Sequence, residues 1–187
     1  MKRTDFSVDW LFAACAPDTE LLPWNAQFTP VDLPHDWQIR HADDLYRDGT
    51  LFYRKYFFVT DVPGTRRMLW FGGAYMDTTV FVNGTEVGQW KYGYTSFWFD
   101  ITDALNADHN RLWVAVQDPT GTGHQARGKQ TLKPGGMFYP AQSGIWQTVW
   151  LERVPENYIT ELTVTPDYDA RTVTVKAHTS LPGGAAA

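Results

Sequence analysis

The sequence predicts an all-β protein, a β-sandwich of short antiparallel strands. Three observations carry this. Apolar and polar residues alternate in segment after segment, the period of a strand with one buried face. Turn signals such as Pro63-Gly64 and Asn83-Gly84 recur at roughly 8–12-residue spacing, which fits a sandwich. Only one short stretch, residues 103–105, reads as helical.

Taken in order, LFYRKYFFV (51–59) is rich in aromatics and sets Arg54 on the face opposite Tyr53 and Lys55. RMLWF (67–71) follows the Pro63-Gly64 turn as the next strand. TTVFVNGTEVGQW (78–90) is a hairpin, because both central residues of a type I′ turn need positive φ and Asn83-Gly84 tolerates it best. Val80 and Val82 then share one face. YTSFWFDIT (94–102) is a strand ending in Asp100 and Thr102, either of which caps the single helical turn. NRLWVAVQD (110–118) alternates Leu112, Val114 and Val116 against Trp113 and Ala115. A long polar, glycine-rich loop runs from Asp118 to about Gly144, and IWQTVWLERV (145–154) reads as the strand that follows. The stretch from Val154 to Asn157 reads as a linker. Beyond it, YITELTVTP (158–166) and RTVTVKAHT (171–179) alternate cleanly around the turn DYDA. Two strands alone do not make a stable domain. The expectation is a complete sandwich plus the opening hairpin of a second β domain.

Bulk properties narrow the function. A length of 187 residues suits one good core with part of a second. Net charge is −5, which gives no electrostatic reason to expect a nucleic acid or an anionic membrane as partner. No apolar run approaches about 18 residues, so no helix is expected to span a bilayer. WLFAACA (10–16) is marginal as the apolar run of a leader, with Asp5 and Asp9 interrupting its approach. Cys15 is the single cysteine, which excludes a disulfide within the chain and fits a reducing compartment, so a cytoplasmic location is expected. Aromatic content is 16% with nine Trp; such side chains suit strands, but also sugar surfaces, because each joins a broad apolar face to a polar edge.

Catalytic motifs are absent. The glutamates, Glu20, Glu86, Glu152, Glu156 and Glu161, stand in no stretch that suggests the paired carboxylates of glycoside hydrolysis. The five His show neither i, i+4 helical spacing nor an H-x-H strand pair, so no zinc site and no bound cofactor is expected. Ser96 and Ser143 lack the G-x-S-x-G context of a nucleophile elbow, and no phosphate-binding glycine loop follows a strand. What remains are three loops, PHDWQIRHADDLYRDGT (34–50), KYGYT (91–95) and the long one after Asp118. Each mixes aromatics with short polar groups, as sugar-binding surfaces do. Long ordered loops on a rigid scaffold tend to be functional, although loops that only cover the sandwich edge have the same composition.

Five segments in one order carry a resemblance: LPHDW, LFYRKYFFV, FGGAYMDTTVFVNGTEVGQWKYGYTSFWFDIT, NRLWVAVQD and SGIWQTVWLE. Together they resemble the N-terminal sugar-binding, jelly-roll domain of glycoside hydrolase family 2, the family of β-galactosidases, β-glucuronidases and β-mannosidases. The resemblance covers roughly residues 10–154, and residues 158–179 resemble the start of the immunoglobulin-like domain that follows. It implies a galactose-binding-like jelly roll over residues 1–154 and a truncated immunoglobulin-like domain over 155–187. It further implies a parent enzyme with a (β/α)₈ barrel that supplies an acid/base Glu after an Asn, and a second Glu as nucleophile. This sequence has no Asn-Glu dipeptide, so no catalytic residue is expected in it. Some relatives hold Mg²⁺ or Na⁺ near the active site; nothing in this chain demands one.

In such enzymes the N-terminal domain is one wall of the substrate pocket. By resemblance Asp118 corresponds to an Asp that reaches the catalytic site, although the following PTGTGHQARGKQ departs from the β-galactosidase loop. Arg127, Lys129, Gln130 and Tyr139 are candidates to face the sugar. His35 and Asp36 match the family's P-H-D-W; either they touch substrate, or they form a buried knot in which Asp36 accepts backbone N–H bonds and Trp37 fills the sandwich edge. Phe138, Tyr139 and Trp146 are expected as interdomain or pocket aromatics. Two other readings stand beside this one: a standalone carbohydrate-binding module, and a scaffold for self-association into a homo-oligomer.

Overall fold

The computed structural model describes residues 2–15, 25–37, 49–119, 121 and 124–181. Two antiparallel sheets face each other. One has four strands in the order β1 (Lys2–Asp5), β10 (Val149–Pro155), β5 (Thr65–Phe71), β8 (Phe97–Asp100). The other has six, in the order β3 (Thr29–Val31), β2 (Trp10–Ala14), β4 (Thr50–Phe58), β9 (His109–Gln117), β6 (Asp77–Val82), β7 (Thr85–Trp90). Chain neighbours β1 and β2 lie in different sheets, as do β4 and β5, β5 and β6, β7 and β8, β8 and β9, and β9 and β10, so the chain crosses repeatedly between the sheets, mostly by short connections and once by the long loop between Gln117 and Val149.

The period-two pattern decides what fills the space between the sheets. Val80, Val82, Leu112, Val114 and Val116 are fully buried, and each such side chain contributes about 1.5–3 kcal/mol when removed from water. Leu69, Phe71, Phe97 and Val149 meet them from the smaller sheet, with Trp10 and Tyr53 sealed inside as well. Lys55 shares the inward face of Tyr53, as the alternation predicts. Its Nζ escapes the core by donating to Val8 O at 2.6 Å, and burial pulls its pKa below the usual lysine value. Asn83 and Gly84 have φ of 53° and 89°, the pair a type I′ turn demands. Asp100 Oδ1 accepts the Thr102 N–H at 3.0 Å ahead of a 3₁₀ turn over Thr102–Ala104, where the short helical turn was expected. The peptide bonds before Pro34 and Met76 are cis.

Three of the nine tryptophans stabilise one sheet. Trp150, Trp70 and Trp98 are direct cross-strand neighbours on the outer face of the smaller sheet, with Trp70 and Trp150 stacked at 5.6 Å. Arg3 lies over Trp150 at 4.6 Å. Such aromatic ladders are a common stabilising device between strands.

Two expectations are corrected. The strand expected from Ile145 begins at Val149: Gly144, at φ 119°, bridges Tyr75, and residues 145–148 follow an irregular path before the ladder resumes. The linker expected from Val154 is shorter, since Val154 and Pro155 still pair with Arg66 and Thr65 in β10–β5. Trp10–Ala14, not read as a strand from the sequence, forms β2, held between β3 and β4. Past Asn157, β11 (Ile159–Asp167) and β12 (Thr172–Thr179) pair as the expected hairpin, exposed along almost all of its length.

Candidate functional site

The ends of β4, β9 and β6 at Thr50, Gln117 and Asp77 are in register, so the segments that continue from them meet at one end of the sandwich. This loop end carries the sequence candidates. The part of the 34–50 loop at residues 38–48, which contains His41, lies outside the described residues.

Its base is a buried polar knot. Ser143 Oγ donates a short hydrogen bond to Asp118 Oδ2, and the Ser143 N–H donates to Asp36 Oδ1 at 3.4 Å. The His35 N–H donates to Ile145 O at 2.8 Å and the Trp37 N–H to Ser143 O at 3.0 Å, so PHDW and SGI lie antiparallel. Underneath, His35 Nδ1 and Tyr53 Oη share a hydrogen bond at 2.9 Å, and Tyr53 Oη also accepts the Ile145 N–H at 3.4 Å. Full burial drives the Tyr53 phenol well above its ordinary pKa, so it remains a neutral donor. Replacing Tyr53 by Phe strips His35 of one bond and leaves the Ile145 N–H without this acceptor. The expected loss is about 1–3 kcal/mol, measured as a lower urea midpoint with unchanged slope.

Above the knot, the long loop holds itself. Tyr139 N–H donates to Lys129 O at 3.0 Å, Thr131 N–H to Tyr139 O at 3.0 Å, and Phe138 N–H to Gly135 O at 3.1 Å, which closes a small turn. Gln130 fastens this turn to its surroundings: Nε2 donates to Tyr94 Oη at 2.6 Å, and Oε1 accepts the Gln142 N–H at 2.5 Å. Tyr75 Oη donates to Ala126 O at 3.3 Å. Burial first, then Tyr94 and Asp118, raise the Tyr75 pKa while Arg127 opposes the rise, so all of these groups act on one tyrosine. Around them Tyr92, Tyr94, Phe138 and Tyr139 are 66%, 48%, 49% and 64% exposed, a cluster of aromatic surface beside the exposed polar chains of Arg127 and Lys129. Trp146 is not part of that surface: half-buried, it packs on Gly73 and donates through Nε1 to Gly93 O at 2.9 Å.

The six sequence candidates therefore fall into two layers. His35, Asp36 and Asp118 are buried in the knot; Arg127, Lys129 and Tyr139 are exposed on the loop above it. Asp36 does accept a backbone N–H and Trp37 is buried, the arrangement of the buried-knot alternative. Sequence reasoning misses Ser143 and Tyr53 as organisers, because the Ser143–Asp118 contact bridges 25 positions and the Tyr53–Ile145 contact bridges 92. Tyr94 was within reach, lying in the flagged KYGYT loop. Among the described residues no group of three or more His, Cys, Asp or Glu is placed to hold a metal ion.

No protein-family model matches the chain. A β-galactosidase of Bacteroides ovatus is 31% identical over 170 residues, covering 81% of this chain and 18% of that protein. The crystal structure of a glycosyl hydrolase family 2 member from Bacteroides cellulosilyticus superposes with a TM-score of 0.66 at 25% identity, over 88% of this chain and 23% of that one. A β-glucuronidase from Bacteroides uniformis superposes with a TM-score of 0.64 at 27% identity, over 85% of this chain and 18% of that one. The chain spans about a fifth of the length of the curated relatives it matches.

Proposed function

Because this chain belongs to glycoside hydrolase family 2 and carries its N-terminal β-sandwich, we propose that it forms one wall of the substrate pocket of a retaining exo-β-glycosidase. The observation that carries this is the loop end: a rigid knot around Ser143 supporting an exposed rim of Tyr94, Arg127, Lys129 and Tyr139. Aromatic faces suit the apolar face of a pyranose ring, and the basic chains and Gln130 suit its hydroxyl or carboxylate groups. Asp118, with His35 and Asp36 beneath it, sets the height and shape of that wall. The substrate is a terminal β-glycoside. β-Galactosides and β-glucuronides are the classes to test first, since relatives of both names match.

In this reading bond cleavage belongs to two glutamates on a barrel downstream. Residues 1–154 are the sandwich domain, and 155–187 open an immunoglobulin-like domain whose first hairpin is β11–β12. That hairpin exposes Leu162, Val164, Val173 and Val175, apolar surface suited to be covered by further strands. A cytoplasmic location is part of the proposal and rests on the single cysteine.

The exposed aromatics favour one competing reading, a carbohydrate-binding module that works unaided. Affinity separates the two. Titrating the chain with methyl β-galactoside, methyl β-glucuronide and their oligosaccharides should give dissociation constants of about a millimolar or weaker, because one wall supplies only part of the contacts. Micromolar binding that Tyr139→Ala abolishes would move the conclusion to the module.

A further inference from the structure

At the opposite end of the sandwich, roughly 27 Å away along the nine residues of β4, three cations stand in one row. Lys2 is the direct cross-strand partner of Arg153, and Arg153 is the direct partner of Arg67. Like charges placed directly opposite destabilise a sheet, and this chain carries a net charge of −5, so the row is not a by-product of a basic surface. Among the described residues, neither Lys2 nor Arg153 has an ion-pair or hydrogen-bond partner. Arg67 is buried and held in place, with Nη1 donating to Thr65 Oγ1 and Nη2 to Thr60 O, each at 2.7 Å. Burial, and then Arg153 beside it, lower the Arg67 pKa against the pull of Asp61.

The row faces a cavity of about 330 Å³ lined by Lys2, Thr4, Phe58, Thr60, Arg67 and Arg153 together with Phe6, Val59 and Leu151. No acidic residue lines it; Asp61 lines a neighbouring cavity on another side of Arg67. The space exceeds that of a bare oxyanion, and Phe58, 71% exposed, offers an apolar face at the rim.

We propose that this cavity is an oxyanion site that takes a sulfate or phosphate group, with Arg153 and Lys2 as ligands and Arg67 as the fixed charge behind them. Guanidinium donors match tetrahedral oxyanions through paired hydrogen bonds, and the threonine hydroxyls add neutral donors. A bound anion removes the repulsion within the row. The site is independent of the sugar-facing wall.

The test uses the whole chain. Inorganic sulfate and phosphate, titrated against chloride at matched ionic strength, should raise the melting temperature saturably. Arg153→Gln should weaken that binding about tenfold or more. In chloride the same variant should melt no lower than the parent, because one like-charge neighbour is gone. Lys2→Gln, at an exposed position, should weaken binding without loss of fold. Galactose 6-sulfate, galactose 6-phosphate and unmodified galactose separate the sources: tighter binding of a modified sugar than of the free anion identifies a sugar-borne group, and equal binding identifies the free anion. Equal anion-dependent shifts in the parent, Arg153→Gln and Lys2→Gln would reduce the effect to general salting and overturn the proposal.

Discussion

Gly144→Ala should cost the chain about 3 kcal/mol or more, seen as a fall in the urea midpoint that takes a large share of a stability normally about 5–15 kcal/mol. Gly144 sits at φ 119°, a conformation that side-chain-bearing residues rarely adopt. An added Cβ would collide with Tyr53 Oη and lie 2.9 Å from His35 O. Neither neighbour has room to yield: Tyr53 is fully buried and hydrogen-bonded to His35, and the His35 carbonyl belongs to the backbone that pairs PHDW with SGI. Two comparisons isolate the cause. Gly135→Ala, where the added atom meets nothing within 4 Å, should change stability by no more than about 0.5 kcal/mol. In Tyr53→Phe/Gly144→Ala, one clash is already gone, so the two losses should add to less than their sum. Full additivity would show that the Tyr53 hydroxyl adds nothing to the cost, leaving the positive φ and the His35 carbonyl as its causes.

The second large effect is catalytic. A longer chain that adds the downstream barrel should hydrolyse nitrophenyl β-galactoside or β-glucuronide, while these 187 residues alone should stay at the background rate, a gap of at least about 10⁶-fold. Retaining hydrolysis needs two carboxyl groups about 5–5.5 Å apart that both reach the anomeric centre. Among the described residues, Asp36 and Asp118 at the loop end do not meet that need. Asp36 and Asp118 are buried and committed to the N–H and hydroxyl of Ser143. Turnover by the short chain that disappears in Asp118→Asn would place the chemistry here and defeat the division of labour proposed above.

How much of this was legible depends on range. Asn83-Gly84 announces its hairpin because the turn's demand for positive φ is met by two adjacent residues. Val80, Val82, Leu112, Val114 and Val116 announce the core because burial on one face of a strand repeats every second residue. β1, β2 and β3 are not read as strands from the sequence. Lys2–Asp5 is polar and exposed, and it is a strand only because β10 lies beside it; Thr29–Val31 contains Pro30 and survives as a three-residue edge. The start of β10 was misplaced by four residues because Ile145 and Trp146 look like strand residues, while Gly144 bends the path through a contact with Tyr75.

By itself, the sequence determined the alternating strands from β4 onward, the hairpin turns and the aromatic loops, all of which follow from neighbouring residues and the geometry of a single strand. Only the tertiary structure decided where the charged and polar groups came to rest. It buried Asp118 against Ser143, raised Tyr139 into solvent, and lined up Lys2, Arg153 and Arg67 across three strands. The physical reason is that sheet pairing joins residues distant in the chain, so the field each charge feels is set by register, which no local pattern encodes.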